Sequence, residues 1–257
     1  PIDESRIEHW DDIIPSLKSI EGVVHEGNRY WVCMDWGQTS IIYRHDLVEL
    51  EEESWGLLWD ERYRGRLSLM DSLIDGVMVA AIYGGAADPF NMTDEEVERT
   101  RELLREQLPL LRGYFNSPTD IQQALASGEV VAAVAWNEAY NNLAGEGVPV
   151  SWMQPKEGAM TWTCGLALMA NIPDEKVDLA YDFINAMLSP EAGEYEIVEW
   201  GYGHANAKAF ENVSDEDLAA RGLTRDPEEL LASGIFQEPI GNEPQLQTMF
   251  EEVKAGL

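Results

Sequence analysis

Residues 129–136, EVVAAVAW, form an apolar run of strand length bounded by Gly128 and Asn137. A run without alternation has no polar face, so it predicts a strand covered on both sides, as in sheets sandwiched between helices. Its neighbours agree. SPTDIQQALASG (117–128) offers Ser117 as N-cap, Pro118 at the first helical position and Gly128 at the stop. NEAYNNLAGEG begins the next helix, with Asn137 expected as its cap. Trp136 is thereby placed at the carboxyl end of a buried strand just before a helix, where open α/β sheets bind ligands.

The rest of the chain repeats the alternation. PIDESRIEHWDDIIPSLKSI is a short amphipathic stretch broken by Pro15, and NRYWVCMDWGQTSIIYRHDLV holds two apolar strand-like runs joined at Gly37. A short strand ends at Asp71 and a helix is expected over 76–83. MTDEEVERTRELLREQLPLL has the clearest helix start: Thr93 and Glu96 form a capping box, and Val97, Leu104, Leu108 and Leu111 make its apolar stripe. VPVSWMQP and TWTCGLALMA read as strands, followed by two helices divided near Ser189 and Pro190 and a final helix in PQLQTMFEEVKAGL. Strands alternating with helices define an α/β chain with mostly parallel sheets, and its long excursions suggest two lobes rather than one.

With 257 residues and 45% apolar content, the chain has ample material for large cores. Its 48 acidic and 17 basic residues leave a net charge of −31, which argues against nucleic-acid binding. Only five residues are lysine, as in a surface tuned for high salt; steering of a cationic ligand into a cleft is the compatible alternative. No run of eighteen apolar residues and no leader are visible, so the protein is cytosolic or its leader has been left off. Cys33 and Cys164 match no zinc spacing, and the four histidines are scattered. Nucleotide-binding, metalloprotease and nucleophile-elbow motifs are absent, and GYGHAN lacks a third glycine. No cofactor, metal ligand or catalytic residue is expected. A glycosidase-like carboxylate dyad remains a remote alternative, because acidic pairs abound in such a chain.

Several segments together resemble the periplasmic spermidine/putrescine-binding family, the solute-binding proteins of ABC importers. They are DWGQTSIIY, SWGLLWDERYRGRLSLMD, FNSPTDIQQALASGEVVAAVAWNEAY, PKEGAMTWTCGLAL, DLAYDFINAMLSPEAGEYEIVEWGYGHAN and FQEPIG, in the family's order. The resemblance implies a type II periplasmic-binding-protein fold with a ligand held between two hinged lobes. Residues 1–40 and 164–210 would form lobe one, and 41–163 and 211–257 lobe two, with hinge strands 32–42 and 161–169. The family has some eighty further N-terminal residues, so the chain is expected to begin inside lobe one. A monomeric periplasmic receptor, delivering an amine to an inner-membrane permease without chemistry on it, is the implied function. A zwitterionic or quaternary-amine ligand is the alternative.

By the same resemblance, Trp136 and Trp162 fall on tryptophans of the ligand box, Tyr202 on a tyrosine and Gln237 on a contacting glutamine; plain core packing competes for the tryptophans. Trp36 and Thr39 lie on the first hinge strand and are candidates for the cleft, with a buried hinge tryptophan as the equal alternative. Of two acidic positions after the strand ending at Asp71, Ser72 replaces one, with Asp71 adjacent, and Asp75 matches the other. Cys164 stands where the family has an aspartate that pairs with an ammonium, and an ordinary thiol supplies little charge at neutral pH. Asp35 is a candidate replacement. Cys33 and Cys164 both fall on hinge strands, which suggests either a disulfide or two buried thiols.

Overall fold

The computed structural model describes residues 1–257. Ten strands follow in chain order: β1 (Val24–His25), β2 (Asn28–Arg29), β3 (Val32–Arg44), β4 (Leu67–Met70), β5 (Leu111–Phe115), β6 (Ala132–Trp136), β7 (Val150–Trp152), β8 (Met160–Leu166), β9 (Gly203–His204) and β10 (Ile235–Phe236). The chain divides into two compact units, Pro1–Gln38 with Thr161–Ile235 and Thr39–Met160 with Phe236–Leu257. The boundaries fall inside β3, β8 and β10.

In the second unit, β4 pairs parallel with both β5 and β6, while β3 lies antiparallel to β6 with Thr39 opposite Trp136. β7 also pairs with β3, setting Ile42 opposite Trp152. Ala132, Ala133, Val134 and Ala135 are all buried, as an unalternated strand requires. Ile42, Ala133 and Ala135 pack with Ile121, Leu125, Ala139 and Leu143 from the helices that flank β6.

The helix Asp94–Gln107 carries the expected reciprocal capping box between Thr93 and Glu96. Thr93→Ala is expected to lower stability by about 1 kcal/mol, measured by urea denaturation. The stripe ends earlier than the sequence suggests. Pro109 lies in a 3-10 turn after the helix, so Leu108 belongs to that turn and Leu111 opens β5, a strand not expected from the sequence. Asn137 is likewise the first helical residue rather than the cap; Trp136 occupies the N-cap position.

In the first unit, the start of β3 pairs antiparallel with β9, setting Asp35 opposite His204 and Trp36 opposite Gly203. β8 runs beside β3. His204 is fully buried; its Nδ1 accepts from the Asn206 N–H and its Nε2 donates to the Met187 carbonyl at 3.0 Å. Burial lowers its pKa to about 4, so the ring is neutral at physiological pH. Residues 211–235 fall in this unit, unlike the boundary expected from sequence. Arg221 donates to the Val198 carbonyl, Arg225 to those of Phe210 and Val213, and the Ser16 N–H reaches Glu228, which tie the segment there.

Candidate functional site

The start of β3 explains one half of the candidate site. Alternation puts Cys33, Asp35 and Gly37 on one face and Trp36 on the other. Gly37 has no side chain because the indole of Trp162 lies across it: a Cβ there would overlap the ring. The same device recurs twice, with Trp36 laid over Gly203 and Trp31 over Gly165. Trp162 stays half-buried and meets Tyr202 edge-on, with ring centroids 4.8 Å apart and planes at 89°. Trp200 meets Tyr202 edge-on in turn, at 6.1 Å.

Beside this aromatic group lies unmatched negative charge. Asp35 is only 5% exposed, and its Oδ1 has no hydrogen-bond partner. Burial raises its pKa to about 6, opposed by a hydrogen bond from Cys164. Glu196 opens the π-helical turn Glu196–Trp200, is equally buried, and leaves Oε2 unpartnered. Burial and the charge of Asp35 raise its pKa to about 7. Glu196 was missed in the sequence; it sits in the segment ending GYGHAN, but only the fold brings it into the field of Asp35.

Cys33 is a buried and Cys164 an exposed free thiol, so neither the suggested disulfide nor a pair of buried thiols is found. The Cys33 thiol donates to the Asp35 carbonyl at 3.4 Å, and that of Cys164 is engaged by the Asp35 carboxyl. Burial, with the charge of Asp35, pushes the Cys164 thiol up to about 11, so it carries no charge at neutral pH.

Of the two alternatives for Trp36, the structure shows the buried hinge tryptophan. It is 1% exposed, on the face of β3 opposite Asp35, and its Nε1 donates to the His204 carbonyl at 3.3 Å. Thr39 is also fully buried, with its hydroxyl unpartnered. Neither presents a face to solvent.

The second unit carries the other candidates. Trp136 ends β6 and is half-buried, directly opposite Thr39 in register. Asp75 is held by the turn after β4: its backbone N–H donates to the Ser72 hydroxyl, which donates in turn to Asp75 Oδ2 at 2.5 Å. Phe250 lies against Gly76, where a side chain would collide with its ring, and meets Tyr114 edge-on at 5.2 Å. Asp75 is 4% exposed with Oδ1 unpartnered, and burial raises its pKa to about 6. Asp71 differs from expectation: Lys254 Nζ binds its Oδ1 at 2.7 Å, so its charge is already matched within the fold. Gln237 follows β10 and is half-buried.

Each unit thus combines a half-buried tryptophan with a buried carboxyl that lacks a counter-charge. An aromatic face attracts cations and covers methylene groups, while an unmatched carboxylate calls for a hydrogen-bond donor of positive charge.

Residues 1–223 match the family described as bacterial extracellular solute-binding proteins, and the chain belongs to it. A putrescine/agmatine-binding protein of Pseudomonas aeruginosa is 28% identical over 227 residues, covering 81% of this chain and 60% of that protein. The spermidine/putrescine-binding periplasmic protein of Escherichia coli is 26% identical over 261 residues, covering 99% of this chain and 72% of that protein. The crystal structure of a spermidine/putrescine ABC transporter substrate-binding protein from Streptococcus pneumoniae, in complex with calcium and HEPES, superposes with a TM-score of 0.84 at 20% identity, over 99% of this chain and 77% of that one. The fold is accordingly the α/β type II class of substrate-binding proteins, a class that binds solutes without converting them.

Proposed function

We propose that this chain is the solute-binding receptor of an ABC importer, acting in the periplasm, and that it captures a small cationic amine for delivery to an inner-membrane permease. The observation that carries the reading is the pairing of Trp162 and Tyr202 with a buried, unmatched carboxyl at Asp35. The second unit carries the same residue types, a half-buried Trp136 and a buried Asp75 with Oδ1 unpartnered. A diamine or polyamine suits this chemistry, with methylene groups on indole faces and ammonium groups on carboxylates. The names of the Pseudomonas aeruginosa and Escherichia coli relatives support the same class. The net charge of −31 favours approach of a cation.

Calorimetric titration with putrescine, agmatine, spermidine, choline and glycine betaine tests the ligand class. Putrescine or a close homologue is expected to bind with a dissociation constant of about 1 μM or tighter, roughly −8 kcal/mol. Binding of glycine betaine with failure of every diamine and polyamine would reject the amine reading in favour of a zwitterion.

A further inference from the structure

Cys164 lies exposed on β8, its thiol uncharged near neutral pH and engaged by the Asp35 carboxyl. Two acidic side chains stand around it on other elements. Asp35 projects from β3 toward Cys164, and Glu196 lies on the turn that leads to Trp200 and Tyr202. Both side chains are 95% buried, and Asp35 Oδ1 and Glu196 Oε2 have no hydrogen-bond partner. The charge of Asp35 acts on both Glu196 and Cys164, and that of Glu196 on Cys164; no lysine or arginine is among the causes of their shifts. Two buried carboxyls without a cation are costly to ionise unless a positive partner arrives. The half-buried Trp162 and Tyr202 rings share the first unit with them.

We infer that Asp35 and Glu196 together form an ammonium subsite of this receptor, with the Trp162 ring beside it. This rests on the amine reading above and adds to it the residues that hold one end of the ligand.

A pH dependence follows. Without ligand, burial holds Asp35 at about 6 and Glu196 at about 7, so near neutral pH the pair retains on the order of one proton. The other titratable groups around it stay neutral there: Cys164 at about 11, Cys33 well above its ordinary value, and His204, opposite Asp35 in the strand pair, at about 4. An ammonium group stabilises the ionised carboxylates and expels the proton. Affinity therefore rises as pH rises through 6 and 7, with proton release on binding.

The test is calorimetry of putrescine, agmatine and spermidine at about pH 8 and about pH 5.5, in buffers of different ionisation enthalpy, for wild type, Glu196→Gln, Asp35→Asn and Trp162→Ala. Wild type is expected to bind at least about tenfold more weakly at the lower pH. Glu196→Gln and Asp35→Asn are expected to lose about tenfold or more at the higher pH, the scale of a hydrogen bond to a charged group, and to show a flatter pH profile. Glu196→Gln is also expected to melt no lower than wild type at about pH 8, since it removes an unmatched buried charge. If both isosteric variants bind within about twofold of wild type with the same pH profile, while Trp162→Ala weakens binding, the subsite is refuted and the amine reading survives. If wild type binds none of the three amines, that reading falls and the subsite with it.

Discussion

Gly37→Ala is expected to weaken putrescine binding by about threefold to thirtyfold, although residue 37 offers no side chain to a ligand. A methyl group there would occupy the space filled by the Trp162 indole, a ring that also packs edge-on with Tyr202. Overpacking of this kind costs about 1–3 kcal/mol in stability, and the ring must leave the position from which it covers a ligand. A cation over an indole is worth about 0.5–2 kcal/mol, which converts to losses of up to roughly thirtyfold. The informative comparison is the double variant. With Trp162→Ala already in place, Gly37→Ala should cost little more affinity, because no ring remains to be displaced. Additive losses in affinity would show that the glycine acts by another route.

Asp75→Asn is expected to make the ligand-free protein more stable at about pH 8 and, at the same time, a poorer amine receptor. The carboxyl of Asp75 is raised by burial from 3.8 to about 6 in the folded chain. Between those values the folded state holds a proton that the unfolded state has released. The stability linked to this group is therefore complete below its ordinary pKa and is lost as pH rises through about 6. At pH 8 the ionised group costs the fold up to about 3 kcal/mol, from a shift of roughly two pKa units. Asparagine keeps the shape and accepts from Ser72 without that charge. Thermal melts at about pH 8 and pH 4 should show stabilisation only at the higher pH, and putrescine affinity should fall by about tenfold or more. A variant less stable at pH 8 would mean that the carboxylate has a partner within the fold and is not waiting for one.

The fold was legible where local signals are strong. The uninterrupted run ending at Trp136 told of a strand buried on both faces, and the Thr93 and Glu96 box gave the start of its helix. Strand β5 was not legible, because LRGYF mixes an arginine and a glycine into five residues and follows directly on a helical pattern. For the site, side-chain type was readable and pairing was not. Tryptophans and acids announce themselves along the chain, but whether an acid is matched depends on a partner far away, as Lys254 is for Asp71. The reason for Trp162 was likewise remote in sequence, since the glycine it covers lies on another strand. Glu196 was one of many glutamates until the fold placed it within reach of the charge on Asp35.

The most direct measurement is the putrescine affinity of Trp136→Ala and Trp162→Ala, each titrated at about pH 8 beside wild type. If Trp136 and Trp162 are ligand contacts, each substitution weakens binding by about threefold to thirtyfold without loss of folding. Wild-type affinity in either variant would contradict the assignment of that tryptophan to the ligand, and in both it would contradict the account.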